Sequence, residues 1–361
     1  MAEKLKVGIL GGTGMVGQRF ISLLENHPWY EVTTIAASPR SAGKRYEDAV
    51  GDRWKMQTPM PEAVKDIIVM NVNEVEAVAE KVDFVFSAVD MSKDEIKAIE
   101  EAYAKTETPV VSNNSAHRWT PDVPMIIPEI NPEHAEIIPF QKKRLGTTRG
   151  FIAVKPNCSI QSYTPALHAL KEFGPKLVVA TTYQAISGAG KTFKDWPEMV
   201  ENIIPFISGE EEKSEQEPLK IWGHIENGQI VKADGPVITC QCIRVPVLNG
   251  HTAAVFVNFE KKPTKEEIIA CWENYVGEPQ KLGLPSAPKQ FIRYMTEDNR
   301  PQVKADVEFE RGMGISMGRL REDSVFDYKF VGLSHNTVRG AAGGAILCAE
   351  LLTAKGYISK K

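Results

Sequence analysis

Short apolar runs alternate with amphipathic stretches along the first part of the chain, which predicts strand–helix–strand units. Strands are expected over 7–10, 32–37, 67–70, 83–87, 110–112 and 151–154, with helices over 15–25 and 93–105. Apolar strands interleaved with helices make a parallel, doubly wound α/β sheet. The pattern changes after Cys158. A long strand is expected over 176–187, a strand pair over 237–247 and 252–259 around the Asn249-Gly250 turn, and further strands over 290–294, 302–309, 315–320 and 325–333. A helix over 263–276 has Thr264 as its cap candidate and Glu267 three residues on. This part reads as an α+β domain with a mostly antiparallel sheet. The acidic run from Glu210 to Glu217 reads as a solvated loop.

A last helix is expected over 336–355, and its first half is small: Arg339-Gly340-Ala341-Ala342-Gly343-Gly344-Ala345. Glycine inside a helix costs roughly 1 kcal/mol against alanine. Close packing is expected to offset that cost, with the helix returning to the first domain near a cofactor. The expected domains are therefore 1–157, completed by 336–361, and 158–335.

Bulk properties narrow the function. A chain of 361 residues is too long for one ordinary core. With 42% hydrophobic and 25% charged residues it has the composition of a soluble globular protein. Lys plus Arg is 43 against 47 for Asp plus Glu, so the net charge of −4 draws neither nucleic acid nor an anionic membrane. No run of eighteen apolar residues occurs, and the N-terminal residues enter a strand pattern without a signal-peptide core. The expected address is the cytoplasm. The five cysteines are odd in number and scattered, against a disulfide framework. Cys240-Gln241-Cys242 has no second Cys/His pair nearby, so no metal is expected, and its two thiols are expected on opposite strand faces.

Gly11-Gly12-Thr13-Gly14-Met15-Val16-Gly17 follows the first strand at once and enters a helix. Such glycines let the backbone approach a pyrophosphate, and the helix start supplies amides to it. NAD sites place a carboxylate at the end of the second strand. This chain has Ser38, Arg40, Ser41 and Lys44 there, which suit the 2′-phosphate of NADP.

Pro156-Asn157-Cys158-Ser159 places a thiol at the mouth of a predicted helix, where amides favour the thiolate. Arg244 lies in the apolar run Ile243-Arg244-Val245, where an unpaired guanidinium is costly and a substrate carboxylate is a natural bidentate partner. His251, seven residues later, titrates in the range of a general base. A thiolate, a base, an anion clamp and a dinucleotide loop together describe acyl-thioester formation coupled to hydride exchange.

These motifs, with Gln184-Ala185-Ile186-Ser187-Gly188-Ala189-Gly190 between them, resemble in order the aspartate-semialdehyde dehydrogenases, the archaeal and fungal branch above all. The resemblance spans essentially the whole chain. It implies an NADP-binding domain, a catalytic and dimerisation domain, homodimers, and homotetramers built from pairs of them. The implied reaction is reduction of L-aspartyl 4-phosphate to aspartate semialdehyde with release of phosphate, toward lysine, methionine and threonine. Cys158 would carry the acyl group, with its own amide helping to hold the oxyanion. His251 would take a proton from Cys158 or the hemithioacetal, and Gln184 would orient nucleophile and substrate. Arg244 and Asn157 would bind substrate, and Arg118 the leaving phosphate. Ser87, Ser187, Gly188 and Asn336 would contact cofactor. The family also has a Glu-x-x-Lys pair, with Glu for the substrate amine and Lys for phosphate. Two registers fit, Glu210 with Lys213 and Glu217 with Lys220; the second is preferred because Ile221-Trp222 continues into an apolar patch. A malonyl-CoA reductase on the same scaffold would keep Cys158, Arg244 and His251 but needs neither partner of that pair. N-acetyl-glutamyl-phosphate reductase fits less well, and an inactive NADPH-binding sensor is disfavoured by the intact nucleophile, base and clamp.

Overall fold

Six parallel strands build the first sheet: β1 (Leu5–Leu10), β2 (Tyr30–Ala37), β3 (Met70–Asn71), β4 (Phe84–Ser87), β5 (Val110–Ser112) and β6 (Ile152–Val154). Their order in the computed structural model, which describes residues 3–361, is β3-β2-β1-β4-β5-β6. Val7, Ile9, Phe84, Phe86, Val110, Val111 and Ile152 are fully buried, because helices cover both faces of a parallel sheet. The strand order reverses beside β1, which opens a crevice at the carboxyl ends of β1 and β4. Helix Lys93–Lys105 starts at a capping box: the Ser92 hydroxyl accepts from the Glu95 amide, and the Glu95 carboxylate accepts from the Ser92 amide.

The second sheet uses β7 (Pro175–Gln184), β10 (Val237–Arg244), β11 (His251–Phe259), β12 (Ile292–Met295), β13 (Ile315–Glu322) and β14 (Tyr328–Ser334). A small hairpin, β8 (His224–Glu226) with β9 (Gln229–Val231), stands apart. The large sheet runs β10-β7-β11-β14-β13-β12 and is mixed, with the β10–β7 and β12–β13 pairs parallel. Buried Val178, Ala180 and Thr182 alternate with Val179, Thr181 and Tyr183 on β7, and β11 alternates in the same way. One face of the sheet therefore packs inward, and the other carries Val179, Tyr183, Ala254 and Phe256 with partial exposure.

Several expectations change. β10 and β11 do not pair; β7 lies between them, and the loop holding Asn249-Gly250 crosses its end, where Val247 and Leu248 carbonyls accept from the Ile186 and Ser187 amides. The expected strand over 302–309 is instead helix Val303–Asp306 followed by a 3-10 turn. There the buried Asp306 carboxylate accepts from the Gln302 amide and pairs with Arg293 and Arg300, which curls the segment. The acidic run forms helix Glu210–Ile221: three glutamates occupy its first turn, where the helix dipole favours them, and Ser214, Glu217, Pro218 and Ile221 bury one face. Cys240 and Cys242 share a strand face because side chains two residues apart point the same way, and their sulfurs lie 3.9 Å apart.

The C-terminal segment begins with a π-helical turn, Val338–Ala342, and continues as helix Gly343–Ala354. Ala345, Ile346, Leu347, Ala349 and Leu352 pack in one cluster with Val7, Ile9, Phe84 and Phe151 of the first sheet. Arg339 locks this return. Its guanidinium donates to both Glu129 carboxylate oxygens at 2.9 and 2.7 Å and to the Met313 carbonyl at 2.8 Å. It also lies over the Phe291 ring. Both partners are buried, so removing one strands a charge in the interior. Glu129→Ala is expected to destabilise the fold by about 3–5 kcal/mol in urea unfolding; a loss below about 1 kcal/mol would show that water reaches the orphaned arginine.

Candidate active site

The nucleotide loop meets its packing requirement. Gly11 has φ +80°, and a Cβ there would lie 2.3 Å from the Ala88 carbonyl oxygen. A Cβ on Gly17 would lie 2.4 Å from the Gly11 oxygen, so only glycine lets helix Met15–Leu24 seat against the loop. The crevice it borders is a cavity of about 490 Å³ whose wall includes Gly11, Thr13, Gly14, Ser38, Arg40, Ser41 and Lys44. Hydroxyls and two cations at the end of β2 fit a dinucleotide with a phosphorylated ribose. Arg53 shares this wall and lies in a stretch without a motif, so nothing in the sequence marks it. Ser87 sits one layer behind the crevice, fully buried, its hydroxyl accepting from Asn114. Met15 opens the helix without joining the wall.

A second cavity, of about 250 Å³, is lined by Val16, Ser187, Gly188 and Asn336 from the expected cofactor set and by Asn157, Cys158 and Arg118 from the expected substrate set. Asn336 is held from two sides: its amide nitrogen donates to Ser187 Oγ at 2.8 Å, and its oxygen accepts from the Gly250 amide at 2.7 Å.

Cys158 reaches this cavity from the turn after β6, and His251, the first residue of β11, is fully buried behind its wall. Cys158 Sγ is 3.3 Å from His251 Nε2. The Ala185 amide donates to His251 Nδ1 at 3.0 Å, which assigns the neutral ring's proton to Nε2, facing the sulfur. Arg244, at the end of β10, donates from Nη1 to the Ala185 carbonyl at 2.6 Å. Among the described residues it has no carboxylate partner. Arg244 and His251 converge on Gly188: a Cβ there would lie 3.1 Å from Arg244 Nη1 and 3.3 Å from His251 Nε2. Gln184 is buried, and its amide donates to Thr182 Oγ1 at 3.1 Å, away from the cavity wall.

The C-terminal glycines bear on the nucleophile itself. A Cβ on Gly340 would lie 2.7 Å from the Cys158 Cβ, so the π-helical turn lies directly against the thiol.

Electrostatics differ from the expectation of a thiolate at rest. Burial, and then the nearby Glu210 carboxylate, push the Cys158 thiol above its ordinary range, while Lys155, Arg118 and Arg244 pull the other way. The turn after Cys158, Ser159–Ser162, is a four-residue 3-10 helix, too short to build a strong dipole. Burial, with Arg244 adding to it, pushes His251 down to about 3, so the imidazole is neutral at physiological pH. Burial would raise Glu210, but Lys213 and Asn157 outweigh it and hold that carboxyl below its usual range.

The two Glu-x-x-Lys registers separate clearly. Glu210 and Lys213 line the cavity; they pair at 2.9 Å, and Glu210 also accepts from Asn157 Nδ2 at 2.9 Å. Glu217 lies behind the wall, accepting from Arg118 Nη1 at 2.9 Å and the Asn157 amide at 2.6 Å. Lys220 points the opposite way and donates to the Arg118, Thr120 and Val123 carbonyls. The preferred register is therefore corrected: Glu217 and Lys220 brace the structure behind the wall, and Glu210 and Lys213 line the cavity. The apolar continuation that favoured the second register reflects the buried face of the helix. Lys155 and Gly340, also on the cavity wall, were not singled out as site residues in the sequence.

Two outcomes follow for the thiol. Gly340→Ala is expected to lower kcat at least about tenfold, the cost of displacing a reacting atom by a fraction of an ångström, with a stability loss of about 1–3 kcal/mol from overpacking. Unchanged turnover would mean that the turn yields without moving Cys158. Alkylation of Cys158 by iodoacetamide is expected to rise with pH around a midpoint above that of an ordinary thiol, and Glu210→Gln is expected to move the midpoint down. A wild-type midpoint below neutrality would contradict the burial argument.

Comparisons with known proteins give the family. The model of the semialdehyde dehydrogenase NAD binding domain matches residues 6–138, and that of the semialdehyde dehydrogenase dimerisation domain matches residues 166–339. The aspartate-semialdehyde dehydrogenase of Methanothermobacter thermautotrophicus is 43% identical over 351 residues, covering 96% of this chain and 99% of its own. That of Aspergillus fumigatus is 42% identical over 365 residues, covering 98% and 99%. The crystal structure of Candida albicans aspartate-semialdehyde dehydrogenase with NADP superposes with a TM-score of 0.88 at 39% identity, covering 99% of this chain and 100% of that one. The chain belongs to the aspartate-semialdehyde dehydrogenase family, alongside its archaeal and fungal members.

Proposed function

We propose that the two cavities act as one site, in which Cys158 carries the substrate as a thioester beside a bound NADPH. The activity is that of an NADP-dependent aspartate-semialdehyde dehydrogenase in aspartate-family amino-acid biosynthesis. NADPH, held in the crevice at Gly11, Gly14, Ser38, Arg40 and Ser41, supplies the hydride. Each remaining step belongs to the chain's own residues.

Arg244 packs against Gly188 of the cavity wall and has no carboxylate partner among the described residues, and it holds the α-carboxylate. Glu210, kept ionised by Lys213, takes the substrate amine. Arg118 and Lys213 face the phosphoryl group. The sulfur of Cys158 forms a bond to the acyl carbon while its thiol proton passes to the departing group; the carbon–oxygen bond breaks, and hydrogen phosphate leaves with the bonding pair. The Cys158 amide helps hold the oxyanion. After reduction the carbon–sulfur bond breaks and the sulfur departs as thiolate. The His251 Nε2–H then faces that sulfur as a hydrogen-bond donor. The imidazole thus enters as a donor to developing negative charge, where a proton-accepting role was expected from the sequence. Gln184 acts from behind through the turn at Ala185 that holds both Arg244 and His251.

The observation that carries this reading is the 3.3 Å Cys158–His251 contact in a cavity shared with Arg118 and Lys213 and bordered by Val16 of the nucleotide helix. The partly exposed apolar face of the second sheet supports a homodimer through that face, and the matching family model is described as a dimerisation domain. Pairing of such dimers into tetramers, and a cytoplasmic location, belong to the same reading. The rival malonyl-CoA reductase has no use for a Glu210–Lys213 pair on the cavity wall. The decisive assay runs phosphate-dependent NADP reduction with aspartate semialdehyde beside NADPH oxidation with malonyl-CoA. Turnover with the first alone is expected; turnover with the second alone would transfer the assignment. In the same assay, NADP is expected to exceed NAD at least about tenfold in kcat/KM, the scale of one charge-assisted contact, and equal efficiency would show that Arg40 does not read the ribose phosphate.

A further inference from the structure

We propose that Lys155 is a positioning residue for the phosphoryl group, forming with Arg118 a two-cation floor beneath the catalytic cavity. This rests on the phosphate-dependent reaction above and adds a residue outside the Glu-x-x-Lys pair and Arg118.

The backbone ties the two cations together. The Lys155 amide donates to the Ser112 carbonyl at 2.9 Å, at the carboxyl end of β5. Its carbonyl accepts from Arg118 Nε at 3.0 Å. Both side chains then face the same cavity, which Cys158 shares. Lys155 is 2% exposed, and no carboxylate lies within ion-pair distance of its ammonium among the described residues. Its one hydrogen-bond acceptor there is the Pro156 carbonyl. A buried ammonium has three donors to satisfy, and two are left for a ligand.

Arg118 commits three of its five N–H donors to the protein and keeps two. Nη1 is committed to Glu217 at 2.9 Å, Nε to Lys155, and Nη2 to the Asn113 carbonyl at 3.4 Å. Lys213 is shared with Glu210. A departing phosphate dianion has more acceptor sites than two guanidinium N–H groups satisfy, and Lys155 adds its two where negative charge accumulates as the carbon–oxygen bond breaks. The titratable groups around the amine are Arg118 and Arg339, which lower it, and Cys158 and Glu217, which raise it. Burial, with Arg118 adding to it, pushes the amine down to about 7, so the arriving dianion draws a proton onto it.

The test uses initial rates in the direction of phosphate-dependent aspartate semialdehyde oxidation. Lys155→Met is expected to raise KM for inorganic phosphate about tenfold or more, with KM for aspartate semialdehyde and for NADP within about twofold of wild type; Lys155→Arg is expected to recover most of the loss. An unchanged phosphate KM overturns the proposal, as does an equal loss for all three ligands, the mark of a purely structural lysine. If the methionine variant does not fold, the wild-type enzyme decides. Reductive methylation at pH 7, mapped by peptide mass spectrometry, is expected to mark Lys155, and saturating inorganic phosphate to suppress that mark at least about fivefold; marking indifferent to phosphate, or none, overturns the assignment. A wild-type enzyme without any phosphate-dependent turnover would instead sink the underlying reading of the reaction.

Discussion

The account depends on one constraint: a sulfur from the end of one sheet must meet an imidazole from the start of a strand in the other. Cys158 leaves β6 at the carboxyl edge of the parallel sheet, and His251 opens β11 of the mixed sheet. Neither sheet can set their 3.3 Å separation by itself. Three seams hold it. Ala185 hydrogen-bonds both His251 and Arg244, Glu217 grips the Asn157 amide beside the nucleophile, and Gly340 lies against Cys158 from the returning C-terminal segment. Arg339, one residue before that glycine, anchors the segment to Glu129 through two charge-assisted bonds. Stability and chemistry thus share a few adjacent residues.

The site sets opposing electrostatic demands against each other. Arg118, Lys155 and Lys213 line one small cavity, with Arg244 behind its wall at Gly188, which suits the anionic substrate proposed above. The same burial disfavours every charged form, raising the thiol of Cys158 and lowering His251 and Lys155. Burial therefore favours a protonated thiol beside a neutral ring.

Much of this was legible in the sequence, and the misses have physical causes. The glycines of the nucleotide loop, the Pro-Asn-Cys turn, and the spacing of Arg244 and His251 are local patterns with local reasons, and each residue stands at one of the two cavities or packs directly against it. The parallel sheet was readable because strands covered on both faces are continuously apolar. Pairing partners were not: nothing in Asn249-Gly250 announces that β7 inserts between β10 and β11. In the acidic run, polar composition hides a helical face at Ser214, Glu217 and Ile221, and that helix decides which glutamate and lysine line the cavity. Lys155 escaped notice for a related reason. A lysine after a strand is ordinarily exposed, and only the three-dimensional closure of Arg118 and the C-terminal turn around it makes it a buried cation.

The most direct measurement of the central claim is to trap the acyl group on the sulfur. Enzyme mixed with aspartate semialdehyde and NADP in the absence of phosphate is predicted to reduce one cofactor per site and then stop. Quenched in acid and digested, it should carry one aspartyl group on the peptide containing Cys158. A stoichiometric burst with no covalent adduct, or an adduct on any other residue, would contradict the account.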